Sequence, residues 1–179
     1  MIRSEISVKN EFFLNCVFIE DMISNFIGDK FGIDNVVDSK VLGNTKEALS
    51  FDQKIDFLIE TGNFSIIDNS KLSVYKAIRK EFLLNKDAYS LEESFTSLDH
   101  NDDFLLIMYP QESFLPKEEK LTVACYNLIE DVSQLVSEFT DKTQIKLKKE
   151  HKMRSRFGIP YNAINFSKIA MILSFLMFR

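Results

Sequence analysis

The side chains that could do chemistry are few and scattered. There are two histidines, His100 and His151, and two cysteines, Cys16 and Cys125. Neither histidine lies beside a serine or cysteine in a nucleophile motif, and the sequence holds no Walker loop, GxGxxG or HExxH. Both cysteines fall inside apolar periodic stretches, which suits reduced, buried thiols better than a disulfide framework or a metal site. The densest set of donor atoms is Asp99-His100-Asn101-Asp102-Asp103. Its DxNxD spacing matches the opening of an EF-hand loop. The rest fails, because the sixth position is Phe104 rather than Gly and the twelfth is Pro110 rather than a bidentate Glu. The patch reads as a solvated loop between helices. No catalytic, cofactor-binding or metal-ligating residue is expected.

Charge is concentrated in one place. Lys146, Lys148, Lys149, Lys152, Arg154 and Arg156 stand together against a single acid, Glu150. The whole chain is −5, so the remainder is strongly acidic. Such a run is ordinarily a solvated helix face or loop paired with the chain's own acidic surface. A second reading is a contact for the phosphates of RNA or DNA. Because an apolar tail follows, the order also fits a polybasic membrane contact.

The elements that must position these residues are helices. Phe12, Cys16, Ile19, Ile23 and Phe26 step by four and three, which places them on one face of a first helix from about Asn10 to Lys30, with Gly32 as its stop. A polar stretch follows from Asp34 to Lys46, with Gly43-Asn44 as a turn signal. Ser50 and Gln53 form a capping box for a second helix carrying Phe51, Ile55, Leu58 and Ile59, and Gly62 suits the left-handed position after it. A third helix starts near Asn69 or Ser70 and carries Leu72, Tyr75, Ile78 and Phe82. A short fourth is signalled by Ser90 with Glu93, and by Leu91, Phe95 and Leu98 at helical spacing. Phe104–Tyr109 fits either a strand or a buried helical turn; with no second strand to pair with, helix is the expectation.

The fifth long helix has the clearest pattern. Pro116 suits the first helical position, and Glu118 and Glu119 complement the helix dipole. Leu121, Cys125, Leu128, Val132, Leu135 and Phe139 then repeat as a heptad seam, fitted to the core of a bundle or to a second copy. Beyond the basic segment, Gly158 and Pro160 precede an apolar C-terminal helix over 165–178. Its uninterrupted part, Ile169–Phe178, rises about 15 Å, half a bilayer core, so no transmembrane segment is expected.

One region resembles a known family. Ser50-Phe51, Lys54-Ile55 and Gly62 match the "SFxxKI" helix of the mannitol-operon repressor (MltR-like) family, which is distantly related to HEPN-type helical proteins. Ile78, Arg79, Phe82 and Asn85 match the family's following helix, "IRNxFAHN". Lys80 stands where that motif has Asn, and Leu83-Leu84 where it has Ala-His. In HEPN-type ribonucleases an Arg–His pair at such spacing would steady phosphate charge and move a proton. Leu84 can do neither. The resemblance implies an all-helical protein that acts through other macromolecules, in the manner of a transcriptional regulator, with Arg79, Phe82 and Asn85 as its motif residues.

The totals agree with this outline. Five Gly and three Pro in 179 residues are too few for a many-turned β-sandwich, and 17 Phe supply a large core. The expectation is an all-α, single-domain antiparallel bundle of about five to seven helices over residues 1–179. The interrupted N-terminus offers no export signal, so a cytoplasmic location is expected. Function is expected to be non-enzymatic and regulatory or scaffolding, through a protein partner or self-association. Nucleic-acid binding by residues 146–156, or a divergent inactive HEPN-type ribonuclease, are the alternatives.

Overall fold

The computed structural model describes residues 5–43, 45–88, 90–95 and 101–157, with side chains described between 8 and 145. Among them are six helices and no strand: α1 (Glu5–Phe31), α2 (Phe51–Gly62), α3 (Ile66–Leu84), α4 (Leu91–Ser94), α5 (Asn101–Met108) and α6 (Lys117–Phe157). The architecture is an all-α helical bundle. No described helix is long and apolar enough to cross a membrane. The chain divides into two compact units, one of residues up to Ile23 with Leu49–Phe139, the other of Ser24–Ala48 with the chain from Thr140.

The larger unit is organised by aromatic rings. Phe12 of α1 stacks on Tyr75 of α3 at 4.6 Å, and meets Phe82 edge-on at 5.2 Å. Phe82 in turn meets Phe95 at 5.5 Å. Such offset and T-shaped pairs add roughly 0.5–1.5 kcal/mol each beyond the area they bury. Val8, Cys16, Ile19 and Ile23 of α1, Phe51, Ile55 and Leu58 of α2, and Leu72 and Ile78 of α3 complete that side of the core. Helix α6 faces it with Leu121, Ala124, Cys125, Leu128, Ile129, Val132 and Val136. The expected seam therefore lies inside the bundle. It also drifts: Leu135 and Phe139 are only half-buried, while Val136 is fully covered. A straight helix turns every 3.6 residues, so a strict 3.5-residue seam rotates off the core within a few turns.

In the smaller unit, Phe26, Ile27 and Leu42 are buried. Gly32, at φ 70°, ends α1 in a Schellman turn, in which the Ile33 N–H donates to the Gly28 carbonyl at 2.9 Å. Gln144 of α6 donates to Asp29 at 2.9 Å.

Several boundaries differ from the sequence reading. The Ser50–Gln53 capping box forms in both directions. Gly62, however, is the last helical residue, and the left-handed position belongs to Asn63 at φ 51°. Glycine serves at 62 for a different reason, since a Cβ there would run into the Phe64 ring. Helix α3 starts at Ile66, capped by Ser65, not near residue 69. Helix α4 ends at Ser94, leaving Phe95 as its cap, and Leu98 lies outside the described residues. Phe104–Met108 is helical as expected, but so are Asn101–Asp103, which form the first turn of α5 rather than a loop. Pro116 stands one position before α6, its carbonyl accepting from the Lys120 N–H.

Candidate functional site

The family-motif residues lie along α3, and the N-caps of α2 and α3 fix where they point. Ser65 Oγ accepts from the Asp68 N–H at 3.1 Å and starts α3, while Ser50 starts α2 so that Phe51 leads it. Arg79 then lays its guanidinium over the Phe51 ring, 4.5 Å from its centre. Asp52 is 4.0 Å away. Both side chains of that pair are part-exposed, so the ion pair contributes well under about 1 kcal/mol; the ring contact is comparable or larger.

Behind Arg79 a chain of hydrogen bonds runs from the buried Tyr75 through the half-buried Asn15 and Ser133. Tyr75 donates its hydroxyl to Asn15 Oδ1 at 2.8 Å, Asn15 Nδ2 donates to Ser133 Oγ at 2.7 Å, and Ser133 donates to the Ile129 carbonyl. Burial pushes the Tyr75 hydroxyl well above the ordinary tyrosine range. It also pushes the Cys16 thiol up to about 11, although the Tyr75 hydroxyl and the Arg79 charge pull the other way. Cys125 is pushed up to about 12 by burial, with Glu118 adding to it. Neither sulfur is a thiolate near neutral pH, so neither is activated as a nucleophile. The position where the family has His is Leu84, 69% exposed. Arg79 thus has an aromatic platform and a loose carboxylate beside it, but no acid or base at the spacing that the HEPN chemistry uses.

Phe82 and Asn85 have structural surroundings. Phe82 is fully buried among Phe12, Phe13 and Phe95. Asn85 ends α3: its N–H donates to the Glu81 carbonyl, its Nδ2 to the Ser94 carbonyl at 2.8 Å, and its own carbonyl accepts from Lys9 Nζ at 3.1 Å.

Three buried charged residues are central to this region, of which the sequence singles out Lys54 alone, as a motif match. Lys9 is 7% exposed and donates to the carbonyls of both Asn85 and Ala88, closing the C-terminus of α3. Lys54 is buried and pairs with Glu20 at 2.7 Å. Glu81 is buried, with Oε1 accepting from Asn101 Nδ2 at 3.0 Å and Oε2 unpartnered. Each stands three residues from a core residue: Lys9 before Phe12, Lys54 after Phe51, Glu81 after Ile78. A charge on the apolar stripe is the signal that would have found them.

The donor-rich patch resolves into separate partnerships. Asn101 serves Glu81, and Asp102 pairs with Lys117 at 2.8 Å. Burial pushes the Asp102 carboxyl up, but the Lys117 bond outweighs it and holds the group below its usual range. Asp99 and His100 lie outside the described residues, and among the described ones no three His, Cys, Asp or Glu side chains converge on a metal position. Glu118 takes the N–H groups of Leu91 and Glu92 at 2.7 and 2.9 Å, so it caps α4 as well as opening α6.

The cations Lys146, Lys148, Lys149, Lys152, Arg154 and Arg156 all fall on the C-terminal part of α6, helical through Phe157, with side chains outside the described residues. The apolar segment 165–178 and His151's side chain are likewise outside them.

The remaining candidate is a surface. Opposite its buried stripe, α1 carries Leu14, Val17 and Phe18, which are 72%, 59% and 55% exposed. At spacings of three and four they form one continuous apolar strip. Glu11 and Asp21, both exposed, bound it along the helix. The chain matches no family model, no curated protein and no solved structure, so its site is read from its own geometry.

Proposed function

We propose that this protein is a non-enzymatic regulatory or scaffolding protein that works through helix-mediated protein–protein contacts, in the manner of the transcriptional regulators its α2–α3 motif resembles. The observation that carries the reading is the outer strip of α1. An isolated exposed leucine needs no explanation, but three large apolar side chains on one helix face mark a surface that gains from cover. Completing the burial of Leu14, Val17 and Phe18 would contribute about 4 kcal/mol in all, scaled from full side-chain burial by their exposure. The surroundings of Arg79 add support: its partners are a ring and a carboxylate, and Leu84 replaces the proton carrier.

Light scattering on the purified full chain, with protein and nucleic-acid absorbance both recorded, tests this. A nucleic-acid-free oligomer that becomes monomeric in Leu14→Asp/Phe18→Asp supports the reading. A monomer with no nucleic acid, whose behaviour the double variant leaves unchanged, overturns it.

A second reading has one observation in its favour. Helix α6 continues unbroken through residues 146–156, so the six cations are set at helical spacing, as a phosphate-tracking helix requires. Charge reversal at Lys148, Lys149 and Arg154 would then weaken nucleic-acid binding and flatten its salt dependence.

A further inference from the structure

We propose that the outer strip of α1 is the docking surface for the basic segment 146–156 of a second copy of this chain. The inference rests on the protein–protein reading above and names its partner. Between Asn10 and Asn25 the exposed residues of α1 are Asn10, Glu11, Leu14, Val17, Phe18, Asp21 and Asn25. Two carboxylates and three apolar side chains are on that face, and no cation. What fits it is a helix of opposite sign that also carries some apolar side chains.

The C-terminal part of α6 is such a helix. Residues 146–156 bring six cations against one acid, with Leu147 and Met153 among them, on a backbone that is already helical. Outside this segment the chain is net acidic, and in its other cation-rich stretch, on α3, Lys71, Lys76 and Arg79 are already set against Asp131, Asp56 and Asp52. The lengths agree as well. From Glu11 to Asp21 and from Lys146 to Arg156 the helix advances ten residues, about 15 Å in each case. Both surfaces are on every copy, so a two-fold arrangement makes the contact twice and closes as a dimer. The apolar strip supplies attraction, and the flanking charges set register and orientation.

The test uses full-length chains and light scattering across a concentration series. Wild type is expected to be a dimer whose dissociation midpoint rises with salt. Glu11→Lys/Asp21→Lys and, separately, Lys148→Glu/Lys149→Glu should each weaken self-association by about tenfold or more, because like charges then face each other. Mixed in equal amounts, the two variants should form a heterodimer, since both contacts again pair opposite charges. That rescue could not come from misfolded protein.

Three results would overturn the proposal. One is a wild-type monomer at every concentration. Another is a dimer abolished by Leu14→Asp/Phe18→Asp yet untouched by Lys148→Glu/Lys149→Glu, which would keep the α1 surface and the protein–protein reading but remove this occupant. The last is an assembly that persists only with nucleic acid and disappears on nuclease treatment.

Discussion

Replacing Lys9 with Met tests whether a buried cation holds the end of α3. The ammonium donates to the carbonyls of Asn85 and Ala88, both at 3.1 Å, and the residue is 7% exposed. Two hydrogen bonds from a charged donor contribute roughly 1.5–3 kcal/mol each. A positive charge at a helix C-terminus adds about 0.5 kcal/mol. Against these stands the desolvation of the ammonium, several kcal/mol before relaxation. Asp87, Glu93 and Glu118 offset part of it through their charges. Met keeps the aliphatic stem near the Phe82 ring, and Asn85 and Ala88 are only half-buried, so water can reach their carbonyls. The net loss is about 2 kcal/mol, or roughly 4–8 °C in melting midpoint for a chain of this size.

The pH dependence gives that prediction a sign. Burial holds the Lys9 pKa below its ordinary 10.5. The folded state therefore releases this proton before the unfolded state does. Between the folded value and 10.5 the unfolded chain binds more protons, so wild-type stability gains with rising pH relative to a variant without the amine. Urea titrations followed by far-ultraviolet circular dichroism, at neutral pH and near pH 10, measure the gap. It should be about 2 kcal/mol at neutral pH and wider in alkali. A gap below about 0.5 kcal/mol, or one that narrows as pH rises, would refute the reasoning.

Three further outcomes are expected. Asn63→Ala should cost about 1 kcal/mol, because its φ of 51° disfavours a β-carbon without a local polar partner, whereas Asn63→Gly should be neutral or slightly stabilising; urea titration distinguishes them. Burial raises Tyr75 and Tyr109 well above 10, so the unfolded state loses these protons first and the stability they confer below pH 10 is lost above it. In a spectrophotometric titration of folded protein, Tyr75→Phe and Tyr109→Phe should each leave the amplitude near pH 10 unchanged. Cys16 and Cys125, buried and held as thiols, should react with a thiol reagent at least roughly a hundredfold more slowly in the folded protein than in urea.

The helices were legible where apolar spacing and a cap agreed. At α2 the stripe begins at Phe51, directly after the Ser50 cap, and pattern and hydrogen bonds coincide. At α3 they separate. The stripe begins at Leu72, but the helix begins six residues earlier, because Ile66 and Ile67 open it on the solvent side, 86% and 67% exposed. Ser65 with Asp68 was the usable signal there, a cap without an apolar partner behind it. The continuation of α6 through the basic run has a similar origin. Lys, Arg and Glu are good helix formers, so a charge run can end a stripe without ending a helix. Of the motif residues, Phe82 and Asn85 prove to be packing and capping positions, and Arg79 lies part-exposed on an aromatic face.

The outer strip of α1 escaped the pattern for a different reason. Leu14, Val17 and Phe18 interleave with Phe12, Cys16 and Ile19, so between residues 12 and 19 the helix is apolar nearly all round, and a periodic reading registers the stripe that fits a core and absorbs the other as noise. A helix apolar on all sides is stable in water only where both faces find cover. Its inner face meets Tyr75 and Phe82. The heptad seam of α6, which fitted either the core of a bundle or a second copy, is taken up by the core, where Leu121, Cys125, Leu128 and Val132 are buried. Any surface through which this protein recognises another must then be sought where apolar side chains remain in water. On α1 they do so between two carboxylates, which is why the partner sought there should be basic.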